Sequence, residues 1–277
     1  MDKLKIGSPL FILRERCSKD LFGVIDKIAE AGFDGIEFLG FFGRSPEEIK
    51  QKLNSVGLEA VGNHVPYNDF VNEPEKVLRD HITLGCEYIT IAPPGPSGMP
   101  GGADYKKTIE NIDKIGAMMK DKGMKLLFHN HGDEMKILRG RDSVLENILD
   151  DSGADLLYLE PDLGWMRIGG GDPIYYLEKY KERCPVIHFK DYYAKDLNKA
   201  VKAKKFDGPK GSEEFGRFEF RPVGYGMMNW SALYAYVAKC NPKWYVMDHD
   251  CSYERDEIDD LKISLEYFKK LTFIAGG

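Results

Sequence analysis

The sequence predicts one α/β domain, a (β/α)8 barrel spanning residues 1–277. Three observations predict it. Short β-branched runs alternate with amphipathic helical runs from end to end, eight of each. Strict β/α alternation implies a parallel sheet. A length of 277 residues suits eight such units in a single barrel.

The strand candidates are 4–9, 35–39, 59–65, 88–92, 125–131, 156–162, 185–191 and 243–248. The helix candidates are 19–31, 45–56, 74–84, 104–122, 142–150, 173–183, 230–239 and 257–271. Ser45-Pro46-Glu47-Glu48 supplies an N-cap, a first-turn proline and acids for the positive end of the helix dipole. Gly32, Gly57, Gly85 and Gly123 each follow a helix and suit left-handed C-caps. Leu21, Val24, Ile25, Ile28 and Ala29 fall on one face at helical spacing. A doubly wound open sheet is the rival architecture. No Gly-x-Gly-x-x-Gly follows the first strand, which weakens its nucleotide-binding version.

Composition narrows the function classes. Hydrophobic residues make up 43% and charged residues 30%, as expected of a folded soluble chain. The 39 basic and 45 acidic residues leave a net charge of −6, which argues against a nucleic-acid groove or an anionic membrane surface. Cys17, Cys86, Cys184, Cys240 and Cys251 show neither pairing nor metal-type spacing and read as reduced thiols. No run approaches a membrane span, and no cleavable leader is evident. The expected location is the cytoplasm.

Four consecutive strand candidates end in metal-binding residue types: LLFHNH, LLYLEPD, VIHFKD and WYVMDHD. Adjacent strand ends of a parallel barrel share one mouth, so His129, Asp162, His188 and Asp248 are expected to converge on one ion. Two imidazoles with two carboxylates suit Mn, Co, Zn or Fe; Mg prefers more oxygen. Residues i and i+2 share a strand face, so His131 joins His129, Glu160 joins Asp162, Lys190 joins His188, and Asp250 joins Asp248. Lys190 is expected to stabilise an enediolate or pair with a neighbouring acid. Glu134, after the HNHGD turn, is a candidate proton-transfer carboxylate and His131 a candidate base. His64, Glu37, Trp165 and Glu160 are candidate substrate contacts. Two loops, 93–102 and the charged insertion 192–221, are expected to overhang the mouth.

Together these features resemble the xylose-isomerase-like TIM barrels, the sugar phosphate isomerase/epimerase group. The resemblance rests on Gly35-Ile36-Glu37-Phe38, His64-Val65-Pro66, Phe128-His129-Asn130-His131-Gly132-Asp133-Glu134, Glu160-Pro161-Asp162-Leu163-Gly164-Trp165, Gly171-Asp172-Pro173, His188-Phe189-Lys190-Asp191 and Val223-Gly224-Tyr225-Gly226. It implies one divalent metal held by His129, Asp162, His188 and Asp248. The chain departs from many relatives by carrying His129 and Asp248 where they have glutamate, and Tyr225 where they have an acid. Glu134 matches the acid that follows HNH in the family.

The resemblance implies a metal-dependent isomerase or epimerase acting by proton transfer next to a carbonyl through an enediolate. The alternative is a lyase or dehydratase on a keto-sugar, keto-glycoside or inosose; a non-catalytic sugar-binding barrel ranks third. Abasic-site endonucleases share the superfamily but need three metals. Here strand four ends in Ala92-Pro93-Pro94, and Trp165, Phe189 and Lys190 stand where further ligands would be needed. A small carbohydrate is therefore the expected partner, without nucleic acid or membrane. Barrels of this type often pair, so a homo-oligomer is compatible with the sequence.

Overall fold

The computed structural model describes residues 4–91, 94–138, 142–204, 206 and 213–275. The predicted strand end Ala92, the loop start Pro93, and residues 205 and 207–212 of the insertion lie outside the described residues.

In chain order the elements are β1 (Lys5–Pro9), α1 (Arg14–Ala31), β2 (Gly35–Phe38), α2 (Pro46–Val56), β3 (Glu59–Val65), α3 (Tyr67–Asn72), α4 (Pro74–Leu84) and β4 (Tyr88–Ile91). There follow α5 (Tyr105–Lys120), β5 (Lys125–His129), α6 (Val144–Asp151), β6 (Leu157–Glu160), α7 (Leu163–Ile168), α8 (Pro173–Lys179) and β7 (Val186–Ala194). The last are α9 (Leu197–Ala203), β8 (Phe218–Arg221), α10 (Trp230–Cys240), β9 (Trp244–Asp248) and α11 (Glu257–Ala275).

The strands form one sheet in the order β6-β5-β4-β3-β2-β1-β9-β7-β8. Every pairing is parallel except β7 with β8. The sheet curls so that β6 returns to β7. There a single parallel bridge joins Asp162 to His188, and the His188 N–H donates to the Pro161 carbonyl at 2.9 Å. This brings the ends of β5, β6, β7 and β9 to one rim.

The local signals act as their chemistry requires. Ser45 accepts from Glu48 N, and Glu48 answers to Ser45 N, a complete capping box. Gly32, Gly57 and Gly85 end α1, α2 and α4 in left-handed geometry. Leu21, Val24, Ile25 and Ile28 are buried on one face of α1. The main core lies between sheet and helices. A smaller cluster of Val61, Tyr88, Leu127, Val186, Trp244 and Val246 lines the opposite face of the sheet.

Two predicted features differ. The insertion is not simply a charged loop: β7 runs on to Ala194 and pairs antiparallel with β8, and α9 lies between them. Its aromatic residues explain this, because Tyr192, Phe218 and Phe220 pack with Ile168, Ala194 and Ala200 in a cluster of their own. The ends of β5 and β6 also fall short of the predicted ones. His131 and Asp162 lie beyond their strands, and the latter instead caps α7 by accepting from Trp165 N at 2.8 Å.

Candidate active site and metal centre

His129 ends β5, Asp162 follows β6, His188 lies in β7 and Asp248 ends β9. One ligand-type atom from each lies within 4.8 Å of the others. None of the four residues is more than 5% exposed. His64, Glu160, His129 and His188 form a second group that meets the same criterion.

The two groups share the imidazoles of His129 and His188, whose ring centroids are 4.7 Å apart. Each imidazole offers one nitrogen to each side. On one side His129 Nδ1 lies 3.1 Å from Glu160 Oε2, and His188 Nε2 lies 3.0 Å from Glu37 Oε1. On the other, His188 Nδ1 lies 3.0 Å from Asp248 Oδ2, and His129 Nε2 lies 4.0 Å from Asp162 Oδ2.

Each side carries its own cation. His64 Nε2 stands 3.0 Å from Glu160 Oε2 and 3.4 Å from Glu37 Oε2. Burial alone would lower this imidazole; the two carboxylates outweigh it and raise it to about 10. Lys190 Nζ stands 3.1 Å from Asp162 Oδ2, 2.7 Å from Asp248 Oδ2 and 2.6 Å from Asp250 Oδ1. At 2% exposure Lys190 stays charged because three carboxylates offset its desolvation. Burial, with the charge of Asp248 adding to it and that of Lys190 opposing it, raises the Asp162 carboxyl to about 7.

Local sequence sets this geometry. Asn130 Oδ1 accepts from Asp162 N at 3.1 Å, and its amide donates to Asp162 O at 3.3 Å, so the HNH turn and the EPD turn are tied edge to edge. A Cβ at Gly164 would collide with the Lys190 carbonyl, so only glycine lets α7 approach β7 this closely. Thr90 donates to Glu160 Oε1 at 3.0 Å.

The mouth is a cavity of about 320 Å³. Its lining includes Glu37, His64, His129, His131, Trp165, His188, Lys190 and Asp248, all predicted site residues, with Phe11, Phe38 and Leu39 as apolar wall. Trp165 lies against His131 and under the Lys190 ammonium, 5.7 Å from ring centroid to Nζ. Three predicted residues stand outside this lining. Asp162 is fully buried, its Oδ2 3.1 Å from Lys190 Nζ. Glu160 lies beneath it, bonded to His129 and Thr90. Glu134 is buried, and its Oε2 accepts from the His131 backbone N–H at 2.7 Å; the carboxylate shapes the turn that presents His131.

Sequence reasoning paired Asp250 with Asp248 but gave it no role, although it lines the mouth and anchors Lys190. It missed Asn130, whose signal was its place between two histidines. Of the acids near Lys190 in sequence, Asp162 pairs with it and Asp191 does not. Asp191 faces away, as its neighbouring position on the strand requires. It accepts from the backbone N–H groups of Tyr192, Gly224, Gly226 and Met228 and from Trp230 Nε1 at 2.8 Å, binding the 223–230 loop to the barrel.

The donors fit a divalent cation. Asp162 Oδ2 is fully buried and completes no hydrogen bond, though Lys190 lies near it. A buried carboxylate oxygen of this kind beside two imidazoles and a second carboxylate matches a mixed N/O metal site. The curled parallel sheet and this cluster at its strand ends place the protein among β/α barrels whose mouth can bind a divalent metal. It belongs to the xylose isomerase-like TIM barrel family, whose sequence model matches residues 25–271.

The chain is 26% identical over 204 residues to an inosose dehydratase of Clostridium perfringens, a match covering 65% of this chain and 66%, just under two thirds, of that protein. Its fold resembles that of a sugar phosphate isomerase/epimerase from Parabacteroides distasonis, with TM-score 0.75, 18% identity, and 97% of this chain and 94% of that one covered. It also resembles the 3-keto-D-glucoside 4-epimerase of E. coli, with TM-score 0.63, 14% identity, and 97% and 100% covered. Among the described residues no helix is long and apolar enough to cross a membrane.

Proposed function

We propose that the protein is a divalent-metal-dependent isomerase or epimerase of a keto-sugar or keto-cyclitol, working by proton transfer next to the carbonyl. The observation that supports this most is the convergence of His129, Asp162, His188 and Asp248 beside Lys190 in the mouth. A closed eight-stranded barrel, one domain in length, is the frame this reading needs.

Those four residues would hold the cation, which when bound polarises a carbonyl and the adjoining hydroxyl and acidifies the C–H between them. Lost hydration within the mouth, with the neighbouring His129, Lys190 and His64 adding to it, lowers His131 to about 3. Its neutral imidazole at the rim takes the C–H proton, and the bonding pair moves onto the carbonyl oxygen to give an enediolate. The Lys190 ammonium, fixed by Asp250, offsets that developing charge. Glu37 and Glu160 orient the imidazoles of His188 and His129. His64, held protonated between the same two carboxylates, returns a proton. Returned to the neighbouring carbon while the hydroxyl proton passes to the former carbonyl oxygen, the proton completes isomerisation; returned to the opposite face of the same carbon, it completes epimerisation. Trp165, Phe11 and Phe38 wall the apolar face of the ring.

A second outcome is supported by the dehydratase named above. If His64 protonates a departing β-hydroxyl instead, the same enediolate loses water. Both outcomes share the first step, so solvent deuterium exchange tests the class. The Mn-loaded protein is expected to wash deuterium into one substrate C–H position among a panel of ketoses and keto-cyclitols. Absence of metal-dependent exchange from all of them refutes the reading.

A further inference from the structure

Beyond the rim, β7 and β8 form an antiparallel ribbon to which the proposed chemistry gives no part. The pairing of β7 with β9 ends where Lys190 meets Asp248, and β7 continues to Ala194 against β8. Tyr192 faces Phe220 across the ribbon. Lys190 lies two residues before Tyr192 and shares its face, so Phe220 is the diagonal neighbour of Lys190.

That register has a consequence at the mouth. Lys190 Nζ stands over two rings, 5.9 Å from the Phe220 centroid and 5.7 Å from that of Trp165. The two rings meet edge to face, centroids 5.7 Å apart at 67°. Phe206 closes on the Trp165 ring at 5.4 Å, and Phe218 packs against Phe206 and Phe220 at 4.9 and 5.0 Å. The Phe220 N–H donates to the Tyr253 hydroxyl at 3.0 Å, three residues past the Asp250 that anchors Lys190. Phe220 is 4% exposed.

Three carboxylates surround the Lys190 ammonium. Under the reading of the mouth given above, Asp162 and Asp248 are claimed by the cation. Among the described contacts, Asp250 and the two rings remain to hold Lys190. A carboxylate takes an N–H. A ring face attracts the ammonium as a whole and uses up no donor. Lys190 is then held in place with an N–H left for the substrate oxygen, which a further acid in place of Phe220 would consume. An aliphatic side chain there would fill the space without the attraction.

We propose that Phe220, with Trp165, is a positioning residue for the Lys190 ammonium, carried to the mouth by a ribbon that lies outside the parallel sheet. This rests on the reading given under Proposed function. A residue that only filled the cluster would need the volume of Phe220; this role needs the negative face of its ring.

The test places phenylalanine carrying one, two or three ring fluorines at position 220 alone, by nonsense suppression in the full chain. Fluorine keeps the ring's shape and withdraws charge from its face. Solvent deuterium exchange is read on the Mn-loaded protein with the ketose or keto-cyclitol that the wild type exchanges fastest, from a panel that includes fructose, tagatose and 2-keto-myo-inositol. Its kcat is expected to fall stepwise, by about tenfold at three fluorines, while KM and metal content hold. Phe220→Leu, which keeps apolar bulk without a face, is expected to match the trifluoro protein. A second readout needs neither metal nor turnover. In lysine-labelled protein the ε-methylene NMR signal of Lys190, identified by its absence from Lys190→Met, is expected upfield of the other lysines because the rings shield it. In Phe220→Leu it is expected to move toward them. A flat fluorine series, or a Lys190 signal among the ordinary ones, overturns the positioning role and leaves the mouth's chemistry standing. No exchange by the wild type across the panel overturns the reading of the mouth, and the role of Phe220 goes with it.

Discussion

The two halves of the mouth solve the same electrostatic problem differently. On the β2–β3–β6 side, the charge of His64 is set between Glu37 and Glu160. On the β6–β7–β9 side, Lys190 is set among Asp162, Asp248 and Asp250. The imidazoles of His129 and His188 face both. The first half sets one titratable ring between two acids. The second has three acids around one ammonium, and one carboxylate oxygen there completes no hydrogen bond. An excess of negative charge in a site that excludes water favours a divalent cation. That difference is why the proposed reading puts the metal in the Asp162–Asp248 half and gives tautomer control to the Glu37–Glu160 half.

The largest expected effect breaks the second half. Asp162→Ala is expected to abolish stoichiometric metal and to cut metal-dependent exchange by about a thousandfold or more, measured by elemental analysis and proton exchange. Lys190→Met separates charge stabilisation from metal retention: exchange falls by roughly a hundredfold to a thousandfold while metal content stays stoichiometric. Glu160→Gln probes the first half. If that half only orients imidazoles, metal affinity weakens by about 10- to 100-fold in calorimetry and the ion is not lost; complete loss of metal would move the ion to the His64–Glu160 side.

A buried carboxylate remote from the mouth supplies the baseline and the smallest effect. Burial pushes the Glu146 carboxyl up, but Ser143 N–H, Lys179 and Tyr175 outweigh it and hold it at about 2. Because the folded carboxyl sits below its ordinary value of 4.5, its contribution is complete above about pH 4.5 and fades as pH falls toward 2. Glu146→Gln is expected to cost about 1–2 kcal/mol at pH 7, with the gap from wild type closing below pH 4, read by denaturant unfolding.

How legible each part was depends on what signals it. The eight parallel strands show in the sequence because each is a short apolar run between helical patterns, and β2, β3 and β4 follow helices closed by glycine. The strand-end histidines and acids show because a polar residue at the end of an apolar strand has few other places to go. β8 does not show. Its stability comes from Phe218 and Phe220 packing on Tyr192, and charged neighbours mask those aromatics in any window average. Nor does the direction of a carboxylate in a turn. Glu134 and Asp250 sit similarly past their strands, yet one folds back onto the His131 backbone and the other reaches Lys190. Only the path of the turn decides that.

The central claim is that a single cation belongs between His129, Asp162, His188 and Asp248. Crystals grown with Mn²⁺ and measured for anomalous scattering test it most directly. The account predicts one strong peak contacting those four side chains, with Lys190 still paired to Asp250. A peak seated instead among His64, Glu160 and the shared imidazoles, or none in the mouth, would contradict it.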